Sequence, residues 1–163
     1  MSTHRVRAAV VVASDRCARG EAEDRSGRHA AALLATAGFE VDGVVVVPDG
    51  ARSVTAALEG ALAAGARFVV TSGGTGVGPR DETPEGTRPL LAKELPGIAE
   101  ALRGHGFARV PTAALSRGLA GVTATGALVV NLPGSVGGVT DGLEVLLPLV
   151  PHVLHQLEGG DHS

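Results

Sequence analysis

Arg67-Phe68-Val69-Val70-Thr71-Ser72-Gly73-Gly74-Thr75-Gly76-Val77-Gly78-Pro79-Arg80-Asp81 is the stretch on which the fold turns. Its first half is a short, largely apolar run of β-favouring residues, the pattern of a strand buried on both faces. Its second half holds four glycines in the six positions 73–78. Such a run lets backbone N–H groups approach a ligand closely, so it can enclose an anion; the competing reading is a mobile surface turn. Pro79 stands where a Walker loop needs lysine, and the spacing of a dinucleotide fingerprint is missing. A strand that empties into a glycine loop is the ligand edge of an open parallel sheet.

Outward from this segment the same unit recurs. Val6 to Ala13 reads as a first buried strand and Phe39 to Val47 as a second, with Arg67 to Ser72 third. Ser26 is placed to cap a helix through about Ala37, and a further helix is expected from about Ser53 to Ala64. The order βαβαβ predicts an α/β fold around a largely parallel sheet. Past residue 80, Thr83-Pro84-Glu85 opens a helix that Pro89 must kink, and Pro96-Gly97 opens another through Arg103. Leu119 to Leu132 reads as two strands turning at Thr125-Gly126. Gly138 to Leu157 reads as a last helix interrupted near Pro148 and Pro151. One domain over 1–158 is expected, with a polar tail over 159–163.

Three strand ends are polar: Ser14-Asp15, Pro48-Asp49-Gly50 and the loop from Thr71 to Asp81. Right-handed crossovers bring such ends to one edge, and with them Asp15, Asp49 and Asp81. Asp49 and Asp81 are candidates for Mg²⁺, which takes one or two carboxylates together with substrate phosphates. Both also suit plainer duties, Asp49 in a Pro-Asp-Gly turn and Asp81 as cap of the helix near Pro84. Pro133-Gly134-Ser135 precedes the final helix, so Ser135 caps it, helps its positive end to hold a phosphate, or does both.

Composition closes other routes. The formal charge is −3, and the aromatics are limited to Phe39, Phe68 and Phe107, so neither polyanion binding nor base stacking is favoured. Lys93 is the only lysine, which leaves arginine to meet phosphate, with Arg117 either aimed at one or simply exposed. Cys17 is the only cysteine, which excludes an internal disulfide and a thiolate zinc site. No apolar run reaches the length of a membrane span, and the opening residues lack a secretory pattern, so a soluble cytoplasmic protein is expected. His152 and His155 read as a solvated helix face.

Ser14-Asp15-Arg16, Glu23-Asp24-Arg25-Ser26-Gly27, Pro48-Asp49, Thr71 to Gly76, Arg80-Asp81-Glu82-Thr83-Pro84-Glu85, Pro96-Gly97, Leu115-Ser116-Arg117 and Leu132-Pro133-Gly134-Ser135 occur in one order. That ordered set resembles the Mog/MoaB family of molybdenum-cofactor biosynthesis, which includes the G domain of gephyrin, over about residues 6–157. The resemblance implies a three-layer α/β/α domain that assembles as a homo-oligomer, a trimer with a hexamer as the alternative, alongside other proteins of that biosynthesis. It implies transfer of AMP from Mg-ATP to the molybdopterin phosphate with release of pyrophosphate. In family terms Asp49 and Asp81 are the catalytic acids and hold Mg²⁺. Substrate and nucleotide contacts fall to Ser14, Asp15, Ser72, Gly73, Gly74, Thr75, Gly76, Arg80, Ser116, Pro133, Gly134 and Ser135. The family also contains MoaB-type members that bind pterin or nucleotide with little catalysis. Ser72 and Glu82 stand where threonine and valine are more usual, and Val136 to Gly138 lacks the lysine that often follows Leu-Pro-Gly-Ser.

Overall fold

The computed structural model describes residues 4–161. The opening Met1-Ser2-Thr3, read above for a leader, and the last two residues of the polar tail lie outside them. Six strands form one sheet: β1 (Arg7–Ala13), β2 (Glu40–Val47), β3 (Phe68–Ser72), β4 (Lys93–Glu94), β5 (Ala120–Val122) and β6 (Leu128–Leu132). The order is β2-β1-β3-β6-β5-β4. β2, β1, β3 and β6 pair in parallel, whereas β6–β5 and β5–β4 are antiparallel. The sheet is therefore mixed, with a parallel half and an antiparallel extension. The β5–β6 hairpin turns through Gly126 as the sequence predicts. β4 was not predicted: two exposed charged residues carry no periodic signal, and they finish the edge in a form that discourages further pairing.

Seven helices accompany the sheet among the described residues: α1 (Asp15–Ala18), α2 (Ser26–Thr36), α3 (Ala51–Ala63), α4 (Thr83–Thr87), α5 (Pro96–Phe107), α6 (Val136–Leu146) and α7 (Val150–Leu157). Several boundaries differ from expectation for identifiable reasons. Ser26 does not cap α2; the Asp24 carboxylate accepts the Gly27 N–H (2.9 Å) instead. α3 starts at Ala51, ahead of Ser53, because the Glu82 carboxylate reaches across to accept the Ala51 N–H (2.9 Å). α4 passes at Arg88 into a 3₁₀ turn through Leu90, since Pro89 has no N–H to give. α5 continues beyond Arg103 to Phe107. The last helix is two helices, α6 starting where Ser135 caps it and α7 opening with Pro151 in its first turn.

Alternating side chains serve two cores. Val10, Val12, Phe68, Val70, Leu128, Val130 and Leu132 meet Leu34 of α2, Leu143 and Leu146 of α6, and Val150 and Leu154 of α7. Val11, Ala13, Val69 and Val129 on the other face meet Val54 and Leu58 of α3. α5 joins the first layer through Ile98 and Leu102, and α4 packs on α3. Each fully buried Leu or Val side chain contributes about 1.5–3 kcal/mol. Phe68, the largest, is wholly buried, and its ring centroid lies 5.4 Å from that of Phe39. The result is a single three-layer α/β domain. No helix among the described residues is long and apolar enough to cross a membrane.

The register positions the site. Ala13 pairs with Val47, Val12 with Ser72, and Ser72 with Leu132, so four parallel strands end together. The chain leaves β1 through α2 toward one side and returns through α3 to the other, which makes the β1/β3 boundary the switch point where crevices form.

Candidate functional site

At that edge Asp15 and Asp49 hold each other. The Asp15 N–H donates to Asp49 Oδ2 (3.0 Å), and the Asp49 N–H donates to Asp15 Oδ1 (3.1 Å). Arg80 closes the group: its Nε donates to Asp15 Oδ2 (3.1 Å), and its Nη2 donates to Asp15 Oδ1 (3.2 Å) and to the Asp49 carbonyl (2.9 Å). The hydrogen bond from Arg80 holds the Asp15 carboxyl below the usual carboxylate range, and Asp15 in turn raises the guanidinium. Because the folded-state value is depressed, this support is complete at neutral pH and is lost only as the pH falls through it, below about 4. Both oxygens of Asp15 are thus occupied within the protein, and its place is that of a brace for Asp49. Ser14 caps α1, its Oγ accepting the Cys17 N–H (3.2 Å).

The glycine loop is tied down along its length, which excludes the mobile-turn reading. Gly73 N–H donates to Leu132 O (3.2 Å), Thr83 N–H to Gly74 O (3.0 Å) and Arg117 N–H to Thr75 O (2.8 Å). The Arg117 side chain then clamps the far end: Nε donates to Gly76 O (2.8 Å), Nη2 to Asp81 O (2.7 Å), and Nη1 pairs with Glu85. Burial pushes the Glu85 carboxyl up, but its bonds to Arg117 outweigh this and leave it below the ordinary value. Arg117 is therefore neither aimed outward at a phosphate nor simply exposed. Arg117→Ala should lower stability by about 1–3 kcal/mol, a Tm drop of about 2–12 °C. Amide exchange at residues 75–78 should accelerate more than in the β-strands; uniform acceleration would show that the clamp is not local.

Asp49 and Asp81 flank this loop. A Cβ at Gly74 would lie 3.4 Å from Asp49 Oδ1, and Cβ atoms at Gly76 and Gly78 would lie 2.9 and 2.8 Å from Asp81 Oδ2. Asp81 does not cap α4, whose N-cap is Glu82 without a side-chain bond. It folds back on its own turn, Oδ2 accepting the Gly78 N–H (2.9 Å). One oxygen of each carboxyl is thereby fixed, leaving Oδ1 of each without a protein hydrogen bond.

The second glycine cluster approaches from β6. A Cβ at Gly134 would come within 3.3 Å of Gly73 Cα, so the two loops meet backbone to backbone. Ser72, buried at 1 % exposure, donates to Pro133 O (2.9 Å) and lies 2.8 Å from Ser26 Oγ. It joins β3, α2 and the Pro133 turn, and so its hydroxyl is not turned to the crevice. Ser135 Oγ accepts the Gly138 N–H (2.9 Å) as cap of α6. Beside this junction is a cavity of about 330 Å³, lined by Thr75, Gly76, Leu102, Ser116, Pro133 and Ser135 among others.

The predicted residues thus fall into two adjoining groups. Thr75, Gly76, Ser116, Pro133 and Ser135 line the cavity, whereas Asp15, Asp49, Arg80 and Asp81 are not among its walls. Asn131 and Asp141 also line the cavity and were not foreseen. Asn131 is buried in a strand, its Nδ2 donating to Thr71 and Thr87 hydroxyls (both 3.0 Å) and its Oδ1 accepting the Leu119 N–H (3.0 Å). An asparagine within an apolar run was the available signal. His152 and His155 are exposed. His105, Asp141 and Glu144 do cluster, but Arg109 already pairs with both acids.

The chain is thus a doubly wound α/β domain with a braced acidic pair and a clamped glycine loop at its switch point, the place where open α/β sheets form crevices. The chain belongs to the family described as "Probable molybdopterin binding domain", whose model matches residues 9–152. It is 41% identical over 156 residues to a "Molybdenum cofactor biosynthesis bifunctional protein" of Synechococcus elongatus, covering 96% of this chain and 49% of that one. The chain spans about half the length of this and a second such bifunctional relative from Chlorobaculum tepidum. It is 40% identical to a "Molybdopterin adenylyltransferase" of Pyrococcus furiosus, covering 89% of this chain and 87% of that protein. A solved molybdopterin biosynthesis protein from Mycobacterium abscessus superposes with a TM-score of 0.89 at 48% identity, over 94% of this chain and 97% of that one.

Proposed function

We propose that this protein is a molybdopterin adenylyltransferase, joining AMP from ATP to the terminal phosphate of molybdopterin. The observation that carries this reading is the placement of Asp49 and Asp81 at the two ends of one tethered glycine loop, each with an oxygen free, next to a cavity of about 330 Å³. A phosphate oxygen of the pterin attacks the α-phosphorus, the bond to the β-phosphate breaks, and its electron pair leaves with pyrophosphate. The attacking oxygen is already ionised, so no general base is required, and the protein's work is alignment and control of charge.

The donor set fits a hard divalent cation: two carboxylates with spare oxygens and no nitrogen or sulfur ligand between them. Mg²⁺ bound by Asp49 and Asp81 would neutralise phosphate charge as the transfer proceeds. The remaining groups act on the substrates. Asp15 and Arg80 keep Asp49 aimed inward, and the loop backbone excludes side-chain bulk from the phosphates. The cavity between Thr75 and Ser135 receives the pterin. We place the protein in the cytoplasm and assign it a trimeric assembly on the family resemblance.

The test is direct. With Mg-ATP and molybdopterin, one pyrophosphate should appear per adenylylated pterin, and neither should form when the metal is chelated. Tight pterin binding with no pyrophosphate would replace this reading with that of a MoaB-type binding protein.

A further inference from the structure

Among the described residues one buried side-chain polar atom has no hydrogen-bond partner: the hydroxyl of Thr83. The residue is 1 % exposed. A buried donor left unmade costs folding free energy, so it calls for a reason. Its main chain supplies no excuse, since the N–H donates to Gly74 O (3.0 Å) and the carbonyl accepts from the Thr87 hydroxyl (2.8 Å).

The position of the hydroxyl is informative. A Cβ at Gly74 would overlap Thr83 Oγ1 and would lie 3.4 Å from Asp49 Oδ1. The two oxygens therefore border the same small volume beside the Gly74 Cα. Asp49 Oδ1 is itself without a protein partner, its other oxygen being taken by the Asp15 N–H. An unused donor and an unused acceptor flank one glycine. Thr83 is also tied directly to the loop, because its N–H donates to Gly74 O.

We infer that Thr83 is a positioning residue for the Asp49 carboxylate: its hydroxyl donates to Asp49 Oδ1 when a metal–nucleotide ligand occupies the site. The bond settles which lone pairs Asp49 presents to the ligand, and it is made only in the bound state. This rests on the adenylyl-transfer reading. It follows that the free protein carries an unmade hydrogen bond that ligand binding completes, so removing the hydroxyl separates stability from function.

Thr83→Val keeps the shape and removes the donor. Binding of a non-hydrolysable ATP analogue with Mg²⁺ is measured by calorimetry, together with the melting temperature of the free protein. The variant should melt at or above the parent temperature yet bind the analogue about 10-fold more weakly. Thr83→Ser, which restores the hydroxyl, should recover the affinity; Thr83→Ala should repeat the loss. In transfer assays the kcat of Thr83→Val should fall while KM for molybdopterin stays constant. Equal affinity of parent and Thr83→Val overturns the inference while leaving adenylyl transfer standing. A weakened Thr83→Val that serine does not rescue also overturns it, since that loss is one of packing. Failure of the parent to bind the analogue removes both this inference and the reading beneath it.

Discussion

Replacing Asp81 or Asp49 by asparagine lowers the rate of AMP transfer by about 100- to 1000-fold, with Tm within about 2 °C of the parent. Asparagine is nearly isosteric and keeps an amide oxygen. It can still accept the Gly78 N–H at position 81 and the Asp15 N–H at position 49, so the loop should stand. What disappears is the negative charge on the second oxygen, the one the protein leaves unpaired. Charge placed where a metal-phosphate assembly forms acts most strongly in a confined site, which is why a near-silent change in shape should have a large kinetic effect. The two variants should also bind molybdopterin about as well as the parent, since the cavity walls do not include either acid. Parent-like transfer rates in either variant would remove the mechanism. A collapse in Tm would show that the acids serve the fold instead.

The second large effect is structural. Gly73→Ala should destabilise the protein by about 2–4 kcal/mol, from strain at φ +94 and from a Cβ driven into the main-chain carbonyl of Ala13. The obstacle is backbone of a central strand, not the flexible end of a side chain, so the clash cannot be relieved without parting β1 from β3. Tm should fall by about 4–15 °C, read by calorimetry. Gly134→Ala meets a tight contact with Gly73 Cα at 3.3 Å, which a shift of a few tenths of an ångström relieves, and it carries no positive-φ strain, so it should cost less. Equal melting temperatures for the two variants would contradict the account of how the loops meet.

The parallel half of the fold was legible because it depends on local rules. Runs such as Val10 to Ala13 and Phe68 to Ser72 can be buried only as interior strands, and the glycine and proline punctuation between them marks where helices stop. Boundaries were less legible where a distant residue sets them. α3 starts at Ala51 because Glu82, thirty-one positions later, accepts its N–H, and no property of residues 50–53 announces that. α2 is capped by Asp24 because Ser26 is needed against Ser72, another contact between remote segments.

The same division runs through the site. Asp15, Asp49 and Asp81 follow polar strand ends, so their gathering at one edge was readable from topology. Their separate duties were not. Asp15 became a brace because Arg80 occupies both its oxygens, and Arg117 became a clamp because the Gly76 and Asp81 carbonyls and the Glu85 carboxylate converge on it. Each outcome depends on which partner lies within about 3 Å, a fact that spacing along the chain does not contain.

By itself, then, the order of residues determined the kind of layered domain, the edge at which its parallel strands end, and which acids and glycines gather there, because hydrophobic period and backbone permissiveness act locally. Only the folded molecule decided that Asp49 and Asp81 keep one free oxygen apiece, that Ser72 faces inward, and that Thr83 is left with a hydroxyl to spare. Those are questions of hydrogen-bond partnership, and a partner is known only when segments far apart in the chain have been brought into contact.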